Sequence, residues 1–155
     1  SYLAFSDLDS LISNGIARTN SQILGKLGEE FDLIDLQLGV TLATFEKPVR
    51  LGLDLIKNTQ ADKGDGARFE FVYGESQDQP GLELGFATQR IQQDAVLAAF
   101  SDDDWWFTSN LRGTTVWAAY GFSESLRVRF AAFNERRDDQ LLNNRRALVD
   151  LRWSF

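Results

Sequence analysis

Three consecutive carboxylates, Asp102, Asp103 and Asp104, stand directly before Trp105 and Trp106 at the end of a segment that starts at Gln92. Clustered acidic oxygens can hold a hard cation such as calcium, or repel anions. The run lacks the glycine and the distal glutamate of an EF-hand loop, so neither a metal site nor a cofactor is expected. A second set is dispersed: Arg50, Asp54, Arg68, Glu70, Glu83, Arg127, Arg129, Asp150 and Arg152, each lying between two apolar neighbours in the chain. Charges placed so regularly can pair with one another, or can form a basic ladder opposite acidic loops, whose transverse field orders water and polar solutes. Gly64-Asp65-Gly66 lacks the spacing of a phosphate loop and reads as a hairpin tip.

Composition removes most catalytic chemistries. The chain has no His and no Cys. Thiol nucleophiles, imidazole bases, zinc sites of the usual Cys/His kind and Ser-His-Asp triads are therefore all missing, and no enzyme is expected. The net charge of -7, from 16 basic and 23 acidic residues, argues against nucleic acid as a partner, because phosphate binding needs a basic face. No stretch approaches the roughly 18 consecutive apolar residues that a transmembrane helix requires. At 155 residues the chain is one domain or a piece of something larger, and its start at Ser1 without a basic, apolar leader reads as mature or trimmed.

The dispersed charges need elements to position them, and the period is two throughout. Leu36, Leu38, Val40 and Leu42 alternate with Gln37, Gly39 and Thr41; Val49, Leu51, Leu53 and Leu55 alternate with Arg50, Gly52 and Asp54. The pattern returns at Phe69, Phe71 and Tyr73, at Leu82, Leu84 and Phe86, at Val116, Ala118, Tyr120 and Phe122, and at Leu126, Val128, Phe130 and Ala132. With the terminal "ALVDLRWSF" this predicts seven full strands, plus a stub at Tyr2 to Phe5. Short turns are expected at Glu46 to Pro48, Asp78 to Gly81 and Ser123 to Ser125. Longer loops are expected at Asn58 to Gly66, Ile91 to Arg112 and Arg136 to Arg145. Residues 7–30, with a few helix-like spacings such as Leu8, Leu11 and Ile12, read as a loop region with a capped surface turn. Strict alternation of short and long connections is the layout of an all-β, antiparallel, up-and-down transmembrane barrel.

Alternation alone does not say which face is inside. A lipocalin-like barrel, or a soluble sandwich with Trp and Phe in its core, would point the apolar face inward. The other face decides, because its glycines and charges would make a poor dry core and a good watery lumen where the charges stay hydrated. Aromatics near strand ends, Tyr73, Phe86, Tyr120, Phe122, Trp153 and Phe155, fit girdles at two membrane interfaces. On this reading the nine dispersed charges line a pore. The segment Gln92 to Trp106 either folds into the lumen, with Asp102, Asp103 and Asp104 at a constriction, or is a solvated outer loop whose tryptophans sit at lipid headgroups.

The terminal residues Val149, Leu151, Trp153 and Phe155 resemble the signal by which outer-membrane barrels are recognised for assembly. "VRLGLDLIKNTQADKGDGARFEFVYG", "LELGFATQRIQQDAVLAAFSDDDWW" and "VWAAYGFSESLRVRFAAFNERRDD" resemble the C-terminal part of a bacterial family of porins. There a strand ending in a Lys-Asn-Thr-like stretch is followed by a hairpin, and an Asp-Ala-Val-Leu-Ala-Ala-Phe-like loop leads to an acidic stretch with an aromatic. The resemblance covers roughly residues 31–155. It implies a passive diffusion channel of the bacterial outer membrane for small hydrophilic solutes or ions, with outer-membrane lipid and the barrel assembly machinery as partners. Family members are larger, with about sixteen strands, and single-chain bacterial barrels have even strand numbers. Either the stub completes an eight-stranded barrel, or the chain is the C-terminal half of a larger wall finished by a missing N-terminal half, a second chain or another copy of itself; the stub is too short to cross a membrane, which favours the second. The alternative function is a small non-conducting barrel that anchors or binds a partner, since eight-stranded barrels are filled by side chains.

Overall fold

The structure is a computed structural model that describes residues 1–5, 8, 19–24, 26–28, 30–43, 46–77, 80–98, 105, 107–138 and 143–154. The stub is strand β1 (Tyr2–Phe5), followed by a small hairpin of β2 (Gln22–Ile23) and β3 (Lys26–Leu27). Seven long strands then follow: β4 (Phe31–Leu42), β5 (Val49–Asn58), β6 (Asp65–Gly74), β7 (Gly81–Ile91), β8 (Leu111–Gly121), β9 (Leu126–Arg137) and β10 (Asn143–Trp153). All pair antiparallel in one eight-stranded sheet of order β1-β4-β5-β6-β7-β8-β9-β10, an up-and-down meander without a crossover. The β-branched and aromatic residues at alternate positions suit a pleated surface, and every strand expected from the period is present.

Register sorts the two faces completely. One cross-strand row reads Leu42, Val49, Tyr73, Leu84, Ala118, Phe130, Val149, and the next reads Val40, Leu51, Phe71, Phe86, Val116, Ala132, Ala147. This apolar face is the exposed one: Leu38 is 53% accessible, Phe130 53% and Leu151 67%. The opposite face carries the glycines and charges and yet holds the buried residues, among them Val72, Ala87, Ala119, Ala131 and Phe133. A water-soluble sheet does the reverse.

The connections depart from the expected alternation. Among the links between successive strands from β4 to β10, the one from Gln92 to Asn110 is long; those at 59–64 and 138–142 are as short as the turns on the other rim. The reason is that charged residues such as Asp65, Arg112, Arg136 and Arg145 remain in strand register, where polarity had suggested loop. Asp65 and Gly66 accordingly belong to β6, and the hairpin tip precedes them, closed by Asn58 N–H donating to the Gly64 carbonyl at 2.8 Å. At the opposite rim Gly74 ends β6 with φ +81°, a conformation that favours glycine.

Tyr73, Tyr120, Phe122 and Trp153 gather near this rim, where Tyr120 and Phe122 meet edge to face at 4.9 Å. Phe86 instead sits mid-strand, between Phe71 and Val116, so it is part of the apolar belt and not of a girdle. The sheet is open. β1 covers β4 only over Phe31–Ile34, leaving Leu36 to Leu42 with a strand on one side, and β10 has a neighbour on one side only.

Candidate functional site

Strand pairing places all nine dispersed charges on the glycine-bearing face, as their spacing predicts. Glu83, inward on β7, is the hub. Its Oε1 accepts from Trp117 Nε1 at 2.9 Å and from Arg127 Nη2 at 3.2 Å; its Oε2 accepts from Arg50 Nη2 at 3.4 Å and from Ser76 Oγ at 3.5 Å. Arg127 Nε also donates to Ser76 Oγ at 2.8 Å. Both carboxylate oxygens are thus engaged by donors from four positions in the chain, which offsets the cost of burying the charge.

Backbone close approach makes the hub possible. The Trp117 indole lies against Gly85, where any Cβ would collide with its ring. Gly85→Ala is therefore expected to push Trp117 off Glu83 and lower stability by about 1–3 kcal/mol. Tryptophan fluorescence during chemical unfolding measures both effects, and an unchanged unfolding midpoint would contradict the packing.

The remaining charges form smaller units. Arg129 donates to Asp150 at 3.4 Å and lies 5.4 Å from the Trp117 ring centroid; Arg68 donates to Glu70 at 2.8 Å. Asp54 faces Arg68 across β5 and β6, while Arg152 lies opposite Arg127 near the turn rim. The charges are less open to water than the alternation suggests, because side chains from neighbouring strands are long enough to reach one another: Arg127 and Arg129 are only 22% and 20% accessible.

A second inward unit was not legible beforehand. Glu135, wholly buried, accepts from Arg146 Nε at 3.2 Å and from the Phe107 backbone N–H at 3.4 Å. Arg146 also lies over the Phe133 ring at 4.4 Å. Trp105, 4% exposed, packs edge to face on Phe133 at 5.5 Å and would meet a Cβ at Gly113 at 2.5 Å. Leu111, Ala131 and Phe133 complete this cluster, with Phe107, Trp117 and Leu148 against it. Trp105 and Phe107, near the end of the long connection, thus pack on the inner face of the sheet. Trp105 is not at an outer surface.

The first half of that connection is stitched down by two asparagines. Asn20 Nδ2 donates to the Gln93 and Val96 carbonyls at 2.9 and 2.8 Å, and its Oδ1 accepts from Ala98 N–H at 2.9 Å. Asn58 Nδ2 donates to the Glu30 and Asp94 carbonyls, while Asp94 Oδ1 accepts from Ser21 N–H at 2.8 Å. Leu97 packs with Phe31 and Leu33. The Lys-Asn-Thr stretch of the porin resemblance contains Asn58, a usable signal; nothing in type or spacing marks Asn20. Of the helical turn expected over Ala95 to Phe100, the first part is described: after bends at Ala95 and Val96 the chain enters a 3-10 turn at Ala98, and residues 99 and 100 lie outside the described residues. Asp102, Asp103 and Asp104 lie outside the described residues, as does Phe155. The other members of the terminal pattern, Val149, Leu151 and Trp153, point outward and are exposed on β10.

No family model, no curated protein and no solved structure matches this chain. What the arrangement can do follows from its geometry alone. One face offers hydrocarbon, and the other offers five arginines and four carboxylates, of which Arg50, Arg68, Arg127 and Arg129 are paired with Glu83, Glu70 and Asp150. Such a face can orient water and bias the passage of ions.

Proposed function

We propose that the sheet is part of the wall of a transmembrane barrel in the bacterial outer membrane, serving as a passive diffusion channel for small hydrophilic solutes or ions. The observation that carries this is the inversion of polarity. Large apolar side chains cover the exposed face, while the charged network is on the other. Strands of 10–12 residues are long enough to cross a bilayer core when tilted, since about 9–11 residues suffice.

The open edges of β4 and β10 require further strands, because unpaired backbone is not tolerated against lipid. A second copy of the chain, a different chain or the rest of a larger barrel would supply them. Intact mass after mild extraction from membranes separates these. The inward packing of Trp105 and Phe107 favours a second reading, a filled barrel that anchors or binds a partner without conducting.

Planar bilayer recording of the native protein decides. Stepwise conductance is expected for the channel; insertion without conductance selects the anchoring barrel, and failure to insert rejects both. Assembly gives an independent check. Deleting Phe155, or replacing it with Asp, is expected to deplete the protein from the outer membrane while the purified variant still refolds in detergent. Normal outer-membrane levels of the truncated chain would contradict the assembly role.

A further inference from the structure

The apolar belt ends in an ordered way at the loop rim. Above the row Phe86, Val116, Ala132, Ala147 comes Thr88, Thr114, Asn134, Arg145, and above that Arg90, Arg112, Arg136, Asn143. All are outward positions on β7 to β10. Arg90, Arg112 and Arg136 are exposed direct cross-strand neighbours, on strands about 4.8 Å apart. Like charges set directly opposite repel, so such a row needs compensation.

Asp138 supplies part of it. Its Oδ1 accepts from Arg112 Nε at 2.7 Å and its Oδ2 from Arg90 Nε at 2.9 Å. Burial pushes the Asp138 carboxyl up, but the hydrogen bonds and charges of Arg112 and Arg90 outweigh it and hold the group below the usual carboxylate range. Asp138 therefore stays ionised at neutral pH and clamps two guanidiniums side by side through Nε. No side-chain hydrogen bond or ion pair to Arg136 occurs among the described residues. Among the described residues one carboxylate pairs within this row of three arginines, in a chain whose net charge is -7.

The three arginines border an open depression of about 570 Å3, together with Thr88, Thr114 and Asn134. Hydroxyl, amide and guanidinium donors around one hollow suit a compact anion with several oxygens, and arginine forks match phosphate geometry. Directly beneath lies the belt that would hold acyl chains. We infer that this outward arginine row binds a phosphate-bearing lipid headgroup, a phosphomonoester or phosphodiester whose tails lie along Phe86, Val116 and Ala132. The site takes the place at the loop rim that aromatic residues take at the turn rim. The inference rests on the membrane reading above.

The test uses the full chain in phosphatidylcholine vesicles containing a minor fraction of spin-labelled phosphatidic acid, or of spin-labelled phosphatidylcholine as reference. Insertion is scored separately by protection from protease, so a protein that fails to enter vesicles rejects the membrane reading and this inference together. Given insertion, phosphatidic acid is expected to be enriched beside the protein at least about fivefold over phosphatidylcholine, and the enrichment is expected to vanish in R90Q/R112Q/R136Q. R136Q alone, which breaks no ion pair among the described residues, is expected to fold normally and to lose a measurable part of it. Equal association of both lipids with inserted wild-type protein overturns the inference and leaves the channel reading standing. A parallel arm titrates the protein in uncharged detergent with inorganic phosphate. Tight, row-dependent phosphate binding without lipid enrichment would assign the hollow to a soluble anion and overturn the lipid headgroup.

Discussion

On the proposed membrane reading, Leu38→Arg is expected to lower the stability of the vesicle-inserted protein by about 2–4 kcal/mol, while Gln37→Arg, one residue away, is expected to change it by no more than about 0.5 kcal/mol. Leu38 lies midway along the outward run Ile34 to Leu42, so on the proposed reading its replacement puts a guanidinium near the bilayer midplane. Gln37 points to the other face, directly opposite Asp54, where a new arginine meets a carboxylate. Both side chains are exposed, so neither substitution disturbs packing within the chain itself. The difference arises only if lipid touches one face and not the other. Urea unfolding of vesicle-inserted protein measures it, and equal effects at the two positions would reject the membrane orientation.

The second large effect is electrostatic. R127E/R129E is expected to shift the reversal potential under a salt gradient toward cations, because two cations on the inner face become anions beside Glu83 and Asp150. Stability is also expected to fall, mainly at position 127, where the new carboxylate faces the buried Glu83; at 129 the partner Asp150 is itself exposed. Glu83→Gln works in the opposite direction, removing the negative hub and leaving Arg50 and Arg127 to favour anions. Opposite shifts in the two variants would place the hub beside the ion path. Shifts of the same sign, or none, would remove it from the path.

The two faces were legible in the sequence because each charge is flanked by apolar residues, and period two leaves no choice about which side it shares. Strand ends were harder. Arg112, Arg136 and Arg145 look like loop residues, yet pairing keeps them in the sheet, and charge gives no warning when a strand continues past an apolar belt. Parity placed Arg50, Glu83 and Arg127 together but could not show that they converge on one carboxylate, which depends on register across β5 to β9. Trp105 was ambiguous for a different reason. A tryptophan suits a headgroup layer and a packed inner face equally well, and only Gly113 and Phe133, brought opposite it by the fold, distinguish them.

The asparagine stitching has a consequence in time. Asn20 reaches partners 73 to 78 residues further along the chain, whereas the hairpins from β4 to β10 close between neighbours in sequence. Contacts so far apart carry a large loop-closure cost and reward it only once the strand ends that flank them exist. On contact order, the segment around Asn20 is expected to engage late, with the meander formed before residues 19–21 fasten the start of the connection from Gln92.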